Sequence, residues 1–499
     1  MSKFNKAVAY PMPEMTVNNE GWVAYSMDPK SKLVNQVLTS FFNEAKFYGD
    51  NSKEIEANIQ AVIKTDPAFV SKLAIFARRE FNMRSISHVL AGYLAHEPEG
   101  KPYVKQTVKS IVLRGDDATE IMSFYLNTFG KPIPNSLRKA LRDIFGTFDE
   151  YTLAKYKGEG KEVKMRDILC LCRPKPKDDQ QSAVWKKLLE GNITPAYTWE
   201  TELSAKGNNK ETWEQLIDSG RLPYMAMLRN LRNILNAKPG NLEKVLRQIS
   251  NPEAVRKSRQ LPFRYLSAYN TVRWETFADR RVLDALEDAV DISIDNLTKL
   301  PGKTMIAIDV SGSMGSRISA KSDILCEDIA MMLGVIANRI CEDATVYTFD
   351  TDIKKLYIPH RNGILETVRN YSASGGGTNM YLPFHQIIRD YQEGHGDYDR
   401  IIVLSDNECN HCGLKHYYHS VKPVNEMANE YRRISGRNIW VHAIDLMGYG
   451  TQQFAGPKTN LIAGWSEKVF EFILLAEQGE GSLIKRIQEY QPSYEGSDR

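Results

Sequence analysis

From about Leu33 to about Leu300 the apolar residues recur with a helical period. Residues 66–78 show the pattern. Phe69, Leu73, Phe76 and Ala77 fall at i, i+4, i+7 and i+8, one face of a helix, and Pro67 suits a first turn behind an Asp66 cap. Similar amphipathic units follow at 84–95, 102–113, 117–129, 135–146, 211–218, 223–236, 241–249 and 261–270, separated by Gly, Pro or Asn breaks. Many short helices in series, with no strand pattern between them, predict stacked helical pairs, as in a solenoid or ring with a concave surface. No strict sequence period is present, so the repeat is degenerate. Residues 1–20 hold Pro11 and Pro13 and few periodic positions, and read as an extended lead-in.

The pattern changes at Leu300-Pro-Gly-Lys303. Residues 304–310, 344–349, 400–404 and 438–444 are short runs rich in strand formers, and an apolar helix is predicted over 322–340. Alternating strand and helix predict a parallel sheet covered on both faces. The fold class is therefore α plus α/β, multidomain: a helical region over 21–300 and a doubly wound, Rossmann-like domain over 301–495.

Composition narrows the classes. With 499 residues, 42% hydrophobic and 25% charged, the chain is neither collagen-like nor largely disordered. Six cysteines are too few for a disulfide framework and read as reduced thiols of a cytoplasmic protein. The N-terminus leads into no apolar h-region, and the longest apolar stretch, 329–337, is far short of a membrane span, so a core helix and no membrane partner are expected. Net charge is +3 but unevenly spread: residues 1–300 carry +8 and residues 301–499 carry −5. A basic half joined to an acidic half suggests a polyanion-binding module beside something else.

The acidic half holds the candidate chemistry. Asp309-Val-Ser-Gly-Ser-Met314 follows the first strand, Gly375-Gly-Gly-Thr378 is a flexible loop bearing a hydroxyl, and Leu404-Ser-Asp406 ends a later strand. Ligands of open α/β sheets bind at carboxyl ends of strands, where these pieces fall. Asp309, Ser311, Ser313, Thr378 and Asp406 are five hard oxygen donors. They suit Mg²⁺ best, with Mn²⁺ or Ca²⁺ as alternatives, and do not suit Zn²⁺. Their order resembles the metal-ion-dependent adhesion site of von Willebrand factor A domains. That resemblance implies that the three hydroxyls and two carboxylates hold the ion and leave a position for an acidic partner group. Cys409-Asn-His-Cys412 with His416 and His419 has zinc-like composition but only one Cys-x-x-Cys pair, so a reduced loop and a metal site both stay open. Gly302-Lys-Thr304 lacks the first glycine of a phosphate loop and leads into a strand, which excludes it. No nucleophile–base arrangement stands out among nine scattered histidines, so no enzyme is expected.

The basic half has concentrated charge. Residues 131–177 hold 12 Lys and Arg against 6 Asp and Glu, and residues 221–281 hold 13 against 4. On a helical array this is the electrostatic footprint of a nucleic-acid surface. Tyr151, Tyr156, Tyr224, Phe263, Tyr265, Tyr269 and Trp274 lie among the charges. Aromatics can stack single-stranded bases, but at helical spacing they read first as core.

Gly220-Arg-Leu-Pro-Tyr-Met-Ala-Met-Leu-Arg-Asn-Leu-Arg-Asn-Ile234 and Gln260-Leu-Pro-Phe-Arg-Tyr-Leu-Ser-Ala-Tyr269 resemble signature segments of the TROVE module. So do Ser136-Leu-Arg-Lys-Ala140, Ala154-Lys-Tyr-Lys157 and, less closely, the 165–177 segment ending Arg173-Pro-Lys-Pro-Lys177. A TROVE module followed by a von Willebrand A domain is similar to the Ro autoantigen family, in particular to its bacterial or phage members. The resemblance implies a ring of HEAT-like helical repeats. It implies binding of small noncoding Y-like RNA on a basic outer face and of single-stranded 3′ ends of misfolded RNA in a central hole. It also implies work beside an exoribonuclease or other protein, as a scaffold in RNA quality control, processing or decay. Arg138, Lys139, Arg142, Lys155, Lys157, Arg173 and Lys175 fall in the matching contact segments, with phosphate neutralisation as their role. Because helical repeats bind proteins as readily as nucleic acids, a metal-dependent protein scaffold without RNA is the alternative.

Overall fold

Residues 305–308 have no exposed surface at all, as befits a strand with helices on both sides. In the computed structural model, residues 13–18, 21–39, 50–273, 280–295, 297–318, 323–359, 362–371, 375–409, 424–479 and 483–491 are described. They contain strands β1 (Met15–Val17), β2 (Val23–Ser26), β3 (Leu300–Asp309), β4 (Cys341–Phe349), β5 (Ile353–Leu356), β6 (Arg400–Ser405), β7 (Trp440–Asp445), β8 (Thr451–Gln452) and β9 (Thr459–Ala463). Six of these form one sheet in the order β5-β4-β3-β6-β7-β9. All its pairings are parallel except the antiparallel edge β4–β5. From β3 the chain first builds outward through β4 and β5. It then returns to lay β6 on the other side of β3, so a topological switch point lies between β3 and β6.

Alternation along the strands decides the two faces. Met305, Ala307, Ile401, Val403, Val441 and Ala443 pack with Phe384, Ile387, Met427 and Tyr431 of helices Leu382–Gln392 and Val424–Ser435. On the opposite face lies helix Cys326–Ile340, nearly all of it buried. There Gly334 approaches so closely that a Cβ would sit 2.3 Å from the Ile308 Cδ1 atom.

The helices between 67 and 172 stack in two rows. Pro67–Arg79, Val104–Ile111, Asn135–Phe145 and Met165–Cys172 pack successively in one, with Ser85–His96 and Gly115–Phe129 in the other. Phe69, Leu73, Phe76 and Ala77 are buried as their spacing predicts, and the Asp66 side chain caps the Phe69 amide at 3.0 Å. Asp117 ties the rows together. It accepts from the Leu113 and Arg114 amides and pairs with Arg78 and Arg84.

By compactness the chain forms two units, one of residues 41–248 with 484–499, the other of residues 1–40 with 249–483. The second unit gathers more than the sheet domain. Helices Pro262–Arg273 and Arg280–Ile294 pack beside Cys326–Ile340 and Ile364–Asn370. The residues before the helical region join it as well: β1 pairs with β2, and β2 with β8. No helix among the described residues is long and apolar enough to cross a membrane.

Candidate functional site

Asp309 is the last residue of β3, and Asp406 follows the last residue of β6. The strands are adjacent and parallel, with Ile308 opposite Leu404, so register alone brings the two carboxylates to one sheet end at the switch point. Both are fully buried. Asp309 is held from two sides: its Oδ1 accepts the Ser311 amide at 2.9 Å, and its Oδ2 accepts the Ser405 hydroxyl at 2.6 Å. Ser311 and Ser313 place their hydroxyl oxygens 3.2 Å apart.

The glycine loop is laced onto the same turn. Gly312 donates to the Gly376 carbonyl at 2.8 Å, and Gly375 donates to the Val310 carbonyl at 3.3 Å. Gly375 has a φ of 76°, where a side chain is strained, and a Cβ on Gly312 would lie 3.2 Å from the Gly375 carbonyl. Those contacts bring the buried Thr378 to the loop, and its carbonyl accepts from the Cys409 thiol at 3.4 Å. All five sequence-predicted donors thus belong to three segments meeting at one sheet end.

Among the described residues no cation pairs with these carboxylates. Burial raises the Asp309 carboxyl above its ordinary range, against the hydrogen bonds from Ser311 and Ser405, and the Asp350 charge raises it further. Burial, then the charge of Asp309, raises Asp406. Among the described residues the buried Asp406 Oδ2 atom has no hydrogen-bond partner. A native protein rarely leaves a buried carboxylate oxygen unpaired, and a hard divalent cation is the group this donor set fits. No cluster of three His, Cys, Asp or Glu with metal-holding geometry occurs among the described residues. The candidate centre is instead two carboxylates with three hydroxyls.

Sequence reasoning missed the supporting residues. Ser405 fixes Asp309 while accepting the Asn407 amide at 3.0 Å. Asp350 accepts the Gly376 amide at 3.4 Å. The N-terminal segment contributes as well: Asn18 donates to the Cys409 carbonyl at 2.6 Å, and Asn35 to the buried Asp445 at 2.9 Å. Ser405 stood in the quoted Leu-Ser-Asp word and was legible, whereas nothing local marks Asn18 or Asn35. Of the Cys-x-x-Cys group, Cys409 is buried, and Cys412, His416 and His419 lie outside the described residues.

The basic candidates sit on the helical stack. Arg138, Lys139 and Arg142 project from Asn135–Phe145, whose Leu137, Ala140, Leu141 and Phe145 are buried, so amphipathicity turns the cations outward. The neighbouring helix Met165–Cys172 ends at Arg173, which takes a left-handed φ of 50°. Burial pushes the Cys172 thiol up to about 12, against the nearby Arg138 and Arg142 guanidiniums. Lys139, Arg173 and Lys175 are exposed without an ion-pair partner among the described residues. Lys155 is exposed, its ammonium over the Tyr151 and Tyr156 rings at 5.6 and 5.4 Å. Lys157 differs, being paired with Glu159.

Comparison with known proteins agrees with both halves. The family model described as TROVE domain matches residues 29–194 and 191–279, and the one described as Ro60 vWA domain matches residues 303–435. The chain is 27% identical over 297 residues to telomerase protein component 1 of Rattus norvegicus, a match covering 42% of this chain but 11% of that protein. It is 25% identical over 320 residues to RNA-binding protein RO60 of Deinococcus radiodurans, covering 54% of this chain and 59% of that protein. The chain therefore spans well under two thirds of these relatives. The crystal structure of the Deinococcus radiodurans RO (RSR) protein shares the fold with a TM-score of 0.60 at 18% identity, over 90% of this chain and 100% of that one. Matched through its helical region to one model and through its sheet domain to the other, this chain belongs to the Ro family of TROVE-domain proteins.

Proposed function

We propose that the protein is a cytoplasmic RNA-binding scaffold of Ro type and not an enzyme. The observation that carries this is the outward set of cations on the helical unit: Arg138, Lys139 and Arg142 on a helix packed against the one that ends at Arg173, with Lys155 and Lys175 also exposed and few carboxylate partners among the described residues. Such a surface neutralises phosphates whatever the sequence. The finer reading is a small noncoding Y-like RNA on this surface and single-stranded 3′ ends of misfolded RNA as further ligands, in quality control, processing or decay. The relative named RNA-binding protein RO60 supports the ligand class. Lys157, already paired with Glu159, adds less to the surface than its neighbours.

In the acidic domain, Asp309, Ser311, Ser313, Thr378 and Asp406 would hold a divalent cation, Mg²⁺ before Mn²⁺ or Ca²⁺. When bound, the cation would supply a positive point for the carboxylate of a protein partner such as an exoribonuclease. The buried Asp406 Oδ2, unpartnered among the described residues, supports this reading.

The test is a titration of a labelled structured small RNA at several salt concentrations. Lys139→Glu with Lys155→Glu weakens binding and makes the slope of log affinity against log salt shallower by about two units, roughly one per lost phosphate contact. Wild-type affinity and slope in the double variant would remove this surface from the account.

A further inference from the structure

A cleft of about 490 Å³ opens beside Lys155 on the helical unit, within the size range of small-ligand sites. Its walls are aromatic and unusually exposed. Tyr151 is 51% and Tyr197 44% exposed, whereas Phe263, Tyr265 and Tyr269, which the sequence groups with Tyr151, are at most 6% exposed. The half-buried Trp199 indole completes the set. Tyr151 and Lys155 stand four residues apart in helix Glu150–Lys155, and so share a face. Thr198 is extended, with φ −134° and ψ 161°, so Tyr197 and Trp199 project to the same side.

The charges are placed to match. Lys155 lies over the Tyr151 ring at 5.6 Å, and Arg221 over the Tyr197 ring at 5.3 Å. Among the described residues lining the cleft, Glu200 is the one carboxylate against Lys155 and Arg221, so their balance is positive. Leu216 and Pro223 give an apolar floor. Exposed rings cost free energy in water, and those of a core would be covered. Rings flanked by cations are what a nucleotide requires, a π-surface for the base and a positive group for its phosphate.

We infer that this cleft binds an unpaired nucleotide of RNA, its base stacked on Tyr197, Trp199 or Tyr151 and its phosphates held by Lys155 and Arg221. The site rests on the RNA-binding reading above, and deepens it by separating recognition of unpaired nucleotides from general phosphate binding. A paired base has both faces covered by its stack neighbours and cannot enter.

The full-length protein is titrated with two fluorescein-labelled probes: an unstructured single-stranded RNA 12-mer and a fully paired RNA duplex. Tyr197→Ala and Trp199→Ala each weaken single-strand binding by about tenfold, as loss of one stacking platform does, and leave duplex binding within about twofold. Tyr197→Phe keeps wild-type affinity. The salt slope stays that of the wild type, because stacking displaces no counterion. Wild-type single-strand affinity in both alanine variants overturns the site and leaves the RNA-binding reading standing. Equal losses for both probes also overturn it, as does displacement of the 12-mer by an acidic peptide with no effect of either alanine variant. If the wild-type protein binds neither probe at low salt, the RNA-binding reading fails with it.

Discussion

Asp406 carries the sharpest residue-scale consequence. Its Oδ2 is buried without a partner among the described residues, beside a second buried carboxylate. The two like charges repel, and a ligand that binds only the folded protein stabilises it by mass action. Millimolar Mg²⁺ should raise the melting temperature of the wild-type protein. Asp309→Ala or Asp406→Asn should abolish both that rise and the calorimetric heat of Mg²⁺ binding, with RNA binding retained. A wild-type Mg²⁺ response in either variant would refute the assignment. The donors were legible because each lies in a short word at a strand end. Of their supports, Ser405 stood in one of those words, whereas Asn35 acts through a contact 410 positions away and leaves no local pattern.

Helices and long strands announced themselves; the short strands did not. The predicted 135–146 and 241–249 units are Asn135–Phe145 and Leu242–Ile249, and the apolar 329–337 run lies inside a buried core helix. The predicted 223–236 unit divides at Asn230, which ends Tyr224–Arg229 and begins Leu231–Ala237. The strands β1, β2 and β8 hold two to four residues each, too few for alternation to register, and their pairing joins Tyr25 to Gln452. One buried network gives a pH prediction at this scale. Glu477 follows β9 on helix Val469–Glu477 and receives a bidentate pair from Arg400 of β6 at 2.6 and 2.7 Å, with His442 of β7 at 3.0 Å. Burial alone would raise its carboxyl, but Arg400 and His442 outweigh it and hold it at about 2, below the ordinary 4.5. A carboxyl depressed on folding adds stability that is complete above its unfolded value and is lost as pH falls toward the folded one. From about pH 5 to about pH 3 the melting temperature of the wild type should therefore drop more than that of Glu477→Gln. Equal drops would show that this pair adds nothing to acid stability.

At the scale of the whole molecule, charge is unevenly divided along the sequence. The +8 half carries the outward cations and the aromatic cleft, and the −5 half carries the buried carboxylates. The fold class and family were readable from the sequence because the matching words are contiguous and each module repeats its own period. The grouping of residues 1–40 with 249–483 was not readable, since it depends on contacts between distant segments. The helical half is proposed to hold RNA. Purifying the full-length protein without nuclease and sequencing the nucleic acid that accompanies it tests this most directly. The expected result is a co-purifying small structured RNA, or RNAs with single-stranded 3′ ends. Protein that comes free of nucleic acid and also fails to bind added structured RNA at low salt would contradict it, and would favour a protein scaffold built on the same helices.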